Sequence, residues 1–181
     1  MFKRLMLSLL LFVSANTHAI VAVDRPFEQL VALSDGIMIG SVEQIESNWE
    51  NGHIYTYVSF KVSEVLKGEQ VDRYTVRMLG GSVPPVSQTV VGAPHFTLHE
   101  RYTLFIQGNQ QQIFPFVGVN QGIYRILTDY DGSDIVVSGA EEHLLKKSLP
   151  LRSLSLVSQK KSGVLLSDFK TQIKQQLQSG K

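Results

Sequence analysis

The chain reads as a mainly β domain, a small barrel with a short helix near its N-terminus and another at its C-terminus. Three observations predict this. An Asn-Gly pair at 51–52 sits between two long runs rich in Ile, Val, Thr and Tyr, the strongest short hairpin signal in the chain. The returning run, His53 to Leu66, carries apolar residues on both parities, as a bent strand serving two surfaces does. Helical spacing of apolar residues occurs only near the two ends.

The first residues set the compartment. Lys3 and Arg4 precede an apolar run from Leu5 to Val13, and small or polar residues follow as far as Ala19. This is the charge, core and small-residue order of a secretory signal, with Thr17 and Ala19 at the cleavage positions. The run is well short of the roughly 20 residues a spanning helix needs. Residues 1–19 are therefore expected to be removed, Ile20 to be the new N-terminus, and no membrane span to remain. The expected location is the periplasm or the medium. Loss of Lys3 and Arg4 turns the formal charge from +1 to about −1, so nothing in the charge calls for a nucleic-acid partner. The chain has no cysteine. That removes thiol catalysis, cysteine zinc sites and a lipid-anchoring cysteine from consideration, and leaves stability to packing.

The elements follow in order. Asp24 is the expected cap, and Pro26 the first turn, of a helix reaching Leu33, with Phe27, Leu30 and Val31 at helical spacing. Strands are expected over 37–50, 53–66, 72–79, 101–107, 111–119 and 122–129, with a short last one at "IVVSG". Gly80 to Pro94, rich in glycine and proline, reads as one long loop, and loops of that length are usually functional or mobile. Residues 20–140 form the β domain, and 141–181 a polar tail. Within the tail a helix is expected from Ser167 to Leu177, capped by Ser167 or Asp168, with Phe169, Ile173 and Leu177 on one face.

Certain motifs carry a resemblance. "LVALSDGIMIGSVEQIESNWENGHIYTYVSFKVSEVLKGE", "GGSV", "VGAPHF", "ERYTLFI" and "VGVNQGIYRI" are similar to the pattern of small exported bacterial β-domain proteins of the kind associated with matrixin-type metalloproteases. The resemblance spans roughly Phe27 to Val137. The first part also resembles the N-terminal domain of tissue inhibitors of metalloproteinases, a five-stranded OB-type barrel. This resemblance implies a small OB-like or closely related barrel. It does not imply the inhibitors' mechanism, which places an N-terminal cysteine on the protease zinc.

Each candidate site also has a plainer reading. His95 and His99 are four apart and Glu100 follows, but Pro94 precedes them and a strand-like run comes after. A zinc protease needs two histidines on one helix face with the glutamate between them. The plainer reading is a turn feeding a strand, with Phe96 anchored in the core; a metal-dependent hydrolase using this loop is the alternative. Asp129, Asp131 and Asp134 lack the closing glutamate of a calcium loop and read as a solvated turn. No nucleophile motif or phosphate loop is present and no cofactor is implied. The aromatic residues flanking the first hairpin, Trp49, Tyr55 and Tyr57, favour a binding surface, joined by Pro84 and Pro85 of the glycine-rich loop; the equal alternative is that the bent sheet buries both faces, since parity alone does not decide burial. The expected role is a non-catalytic exported module that binds a protein, with a secreted metalloprotease as first candidate. Inhibition or chaperoning of such a protease is a second alternative.

Overall fold

The computed structural model describes residues 24–138 and 163–180. The expected signal segment, and the part of the tail before Gly163, lie outside the described residues.

The chain is mainly β with a helix towards each end. In order, the elements are α1 (Phe27–Leu33), β1 (Gly36–Glu50), β2 (His53–Lys67), β3 (Arg73–Leu79), β4 (Gly81–Val83), β5 (Val86–Gln88), β6 (Arg101–Ile106), β7 (Ile123–Thr128), β8 (Asp134–Ser138), β9 (Val164–Leu165) and α2 (Leu166–Ser179). Seven strands make one sheet in the order β3-β2-β1-β6-β7-β8-β9, and β4 and β5 make a separate hairpin.

The long β1–β2 hairpin is the spine. Asn51 (φ 49°) and Gly52 (φ 84°) both lie in the left-handed region, which gives a two-residue turn the twist of its flanking strands. Register shifts at Ile37/Met38, Ile39/Gly40 and Val42/Gln44 bend the pair, because each unpaired residue raises the local twist. The bent sheet buries both surfaces. On one side Met38, Val42, Val58, Phe60, Val76, Leu104 and Phe116 form a core. On the other Ile37, Ile39, Phe105 and Ile126 pack beneath α1 and α2 through Leu30, Val31, Phe169 and Ile173.

The expected barrel closure is not seen: among the described residues β3 and β9 do not pair, and the sheet is open. The segment 111–119, expected to be a strand, is a series of turns with a single bridge between Phe116 and Ile106. Pro115 has no N–H to give a ladder, and Gln110, Gly118 and Val119 take positive φ values, which no continuous strand allows. These turns still cover the outer edge of β3. The Leu79 amide donates to the Ile113 carbonyl at 3.0 Å, the Arg77 amide to Asn109 Oδ1 at 3.2 Å, and Asn109 Nδ2 to the Thr75 carbonyl at 2.8 Å. An edge so occupied offers no template to another strand.

Both helices start differently from expectation. Pro26 occupies the cap position of α1 and no side chain caps it, so Asp24 does not serve. In α2 the cap position is Leu165, and Ser167 and Asp168 lie inside the first turn. Asp168 there favours the positive end of the helix dipole. The C-terminal end of α1 is held by Lys67, whose Nζ donates to the carbonyls of Val31 and Ala32 at 2.9 and 3.2 Å. These are carbonyls the helix itself leaves unpaired. Lys170 pairs with Glu64, which ties α2 to β2.

Candidate functional site

The tip of the β1–β2 hairpin extends beyond the paired length of β6, which ends opposite Ser41. Cross-strand partners share a face, so Trp49 with Ile54, Ser47 with Thr56 and Ile45 with Val58 form one side of the tip. Asn48 with Tyr55 and Glu46 with Tyr57 form the other. The three aromatic residues expected to act together are therefore divided between opposite faces.

Tyr55 and Tyr57 belong to a closed polar group. The Arg77 guanidinium lies 4.3 Å from the centre of the Tyr55 ring, a distance at which the ring face attracts a cation. Its Nη1 is 3.9 Å from Glu50, and its Nη2 donates to the Gln110 carbonyl at 2.8 Å. The Tyr57 hydroxyl donates to Glu50 Oε1 at 2.6 Å. That bond to a carboxylate, with a smaller contribution from burial, raises the Tyr57 pKa. Arg77 thus ties β3, the tip and the 109–113 segment together. Strand parity predicts that Arg77 points outward, but nothing local in the sequence names its partners.

Trp49 stands apart from this group. It is 54% exposed although its cross-strand partner Ile54 is fully buried, because among the described residues no strand flanks β1 at that height. The Gly80–Pro94 segment, expected as an unstructured loop, folds onto this same side as the β4–β5 hairpin. Gly81 (φ +139°) lies directly on Ser47 and Thr56: a Cβ there would sit 2.5 Å from Ser47 Oγ and 2.3 Å from Thr56 Oγ1, so only glycine fits. The hairpin is anchored below by three bonds. The Ile54 amide donates to Gln88 Oε1 at 2.8 Å, the Gly80 amide to the Ile54 carbonyl at 2.7 Å, and Thr56 Oγ1 to the Gly80 carbonyl at 2.7 Å. Pro84 and Pro85, joined by a cis bond, form its exposed turn, and Val86 beside them is 45% exposed. Trp49, Pro84, Pro85 and Val86 therefore present apolar area on one side of the tip, on anchored backbone.

The His95–Glu100 loop is built as a turn. Phe96 leaves it to pack edge-on against Phe60 and Tyr102, with ring centres at 5.3 and 5.0 Å. His95 and His99 are exposed. His99 holds a φ of 67°, and its amide donates to the Val42 carbonyl at 2.9 Å, which starts the pairing of β6 with β1. Glu100 is committed elsewhere: its carboxylate accepts from the Tyr102 hydroxyl at 2.7 Å and from Arg125. Burial, then the bond to Glu100, pushes the Tyr102 pKa well up. Asp134 is likewise engaged, with Arg101 at 2.7 Å and Thr128 at 2.9 Å. Burial would raise its pKa, but these two hydrogen bonds hold it below the usual carboxylate range. Asp129 and Asp131 accept from backbone amides of their own turn. Among the described residues no group of three or more His, Asp or Glu side chains is placed to hold a metal.

A groove between α1 and the end of α2 is lined by Glu28, Val31, Lys67, Lys174 and Leu177. Of its two lysines, Lys67 is bonded to the α1 carbonyls and Lys174 lies 3.7 Å from Glu64. No helix among the described residues is long and apolar enough to cross a membrane. Comparison of the chain with protein-family models, with curated proteins and with solved structures finds no match.

Proposed function

We propose that the protein is a non-catalytic binding module, exported to the periplasm or beyond, whose contact surface for a protein partner is the Trp49 side of the hairpin tip. The observation that carries this reading is the exposure of Trp49 on the side of the tip where the β4–β5 hairpin is anchored. A large rigid ring held at a surface gives contact energy for little loss of side-chain freedom, and tryptophan is enriched among dominant interface residues. The engagement of Glu100, Asp134 and Arg77 in internal pairs favours binding over catalysis, since these charged groups already have structural partners. Tyr55 and Tyr57 support the tip and do not themselves form the contact.

The resemblance to metalloprotease-associated domains makes a secreted metalloprotease of the same cell the first partner to test, as a binding target, inhibited or chaperoned. A barrel-like, OB-related reading of the curled sheet is supported by the bonds from segment 109–113 to the outer edge of β3. The test is capture of the protease by immobilised wild type and Trp49→Ala. The variant is expected to weaken capture by about 2 kcal/mol or more, roughly thirtyfold in Kd. No capture by wild type, or equal capture by both, rejects the reading.

A further inference from the structure

Among the described residues the outer edge of β1 from Glu43 to Glu50 has no strand partner. β6 covers β1 only from Gly36 to Ser41, and the Val42 bonds to His99 and Glu100 end the ladder. The backbone direction along this edge follows from the neighbouring ladders. The Val62 amide donates to Asp72, and Gly80 donates to Ile54, so even-numbered β2 residues bond towards β3. Odd-numbered β2 residues therefore bond towards β1, where Tyr55 pairs with Asn48 and Tyr57 with Glu46. Backbone bonding alternates along a strand. The amides and carbonyls of Ile45, Ser47 and Trp49 consequently point outward. Their side chains share one face, on which Ile45 is 36% and Trp49 54% exposed.

We infer that this edge pairs with the same edge of a second copy of the chain, antiparallel about a two-fold axis at Ser47. An isologous contact of this kind must be self-complementary, and the sequence satisfies that in one register. With Ser47 opposite Ser47, Ile45 lies opposite the partner copy's Trp49, and each of these pairs exchanges both main-chain bonds. On the opposite face Glu46 meets Asn48 and Gln44 meets Glu50, so every carboxylate faces a side-chain amide. A slip of two residues one way sets Glu46 against Glu46; the other way sets Glu46 against Glu50. Like charges directly opposite are destabilising, which selects the Ser47-centred register. The bulge at Val42/Gln44 and the His99 turn end the pairing on one side, and the Asn51-Gly52 turn ends it on the other. The edge lacks the lysines and prolines that commonly guard exposed edges.

The inference shares Trp49 with the function proposed above but uses the strand edge, so the two separate experimentally. The purified full chain is expected to sediment as a concentration-dependent dimer. Asn48→Glu places a carboxylate opposite the partner copy's Glu46, at an exposed position on the Tyr55 face and not on the proposed contact side, and should weaken dimerisation at least about tenfold, while leaving the fold and capture of a metalloprotease unchanged. Trp49→Ala should weaken both. The chain has no cysteine, so engineered ones report unambiguously. Glu46→Cys mixed with Asn48→Cys should form a disulfide-linked heterodimer on oxidation, since opposed residues that exchange no main-chain bonds lie closest. Each variant alone should cross-link poorly. A wild type that stays monomeric at its highest soluble concentration overturns the inference. So does a dimer indifferent to Asn48→Glu, or efficient cross-linking of Glu46→Cys alone. A dimer that meets these tests in a protein capturing no metalloprotease upholds the pairing and rejects only the earlier reading.

Discussion

Phe96→Ala tests whether the histidine loop is a structural turn or a site. The Phe96 ring plugs the core side of the sheet, touching Phe60, Tyr102 and Phe116 with ring centres at 5.3, 5.0 and 5.7 Å. Truncating a buried phenylalanine costs about 3–5 kcal/mol through lost transfer energy and the cavity left behind. Phe96 is half-buried and Phe60 and Phe116 behind it are fully packed, so collapse around the gap is limited. The lower end of that range, about 3 kcal/mol, is the expected loss. For a domain of this size it lowers Tm by roughly 6–12 °C. Urea unfolding followed by far-UV circular dichroism reads it out; tryptophan emission serves less well, because Trp49 is at the exposed tip. The paired control replaces His95 and His99 by Gln. His95 is exposed and His99 contributes mainly its backbone, so the expected change is within about 1 kcal/mol, with no change in bound metal. A Phe96→Ala loss under about 1 kcal/mol refutes the packing argument. Stoichiometric zinc in wild type, lost from the double variant, refutes the turn and restores the metal-site alternative.

Two further predictions concern acid stability and export. The folded state lowers the Asp134 pKa, so its contribution is complete above the ordinary carboxylate range and is lost as pH falls through the folded value, below about pH 4. Asp134→Asn should therefore be less stable than wild type at neutral pH and lose less on acidification to about pH 3; parallel acid losses would contradict the assignment. Mass spectrometry of the protein from its native envelope should find Ile20 at the N-terminus; intact Met1–Ala19 in the mature pool would remove the basis for export.

Features written locally in the chain were legible in it. Asn51-Gly52 specified the two-residue turn, because both residues tolerate positive φ. The spacing of Phe169 and Ile173 marked the buried face of α2. What depended on distant neighbours was not legible. The run at 111–119 has strand-like composition, but Pro115 and the left-handed residues at 110, 118 and 119 break it. The two-residue β9 exists only because Ile135 and Val136 pair with it. The β4–β5 hairpin was hidden in a glycine and proline-rich stretch, since its support is the Ser47–Thr56 surface and not its own sequence. The division of Trp49 from Tyr55 and Tyr57 follows from strand parity, but parity does not say where a core ends. Ile54 is sealed and Trp49, its direct partner, is open because among the described residues no strand flanks β1 at that height.

The exposed tip is the central claim, and Trp49 is the chain's single tryptophan, so its fluorescence reports that position alone. The decisive measurement is the emission maximum and iodide quenching of Trp49, at a dilution where the protein is monomeric, before and after adding the proposed partner, a secreted metalloprotease of the same cell. The account predicts red-shifted, readily quenched emission from the free protein, and a blue shift with protection on binding. It also predicts that Trp49→Ala melts within a degree or two of wild type, as an exposed substitution does. Blue-shifted, shielded emission from the free monomer, with unfolding of Trp49→Ala, would make Trp49 part of the core and contradict the claim.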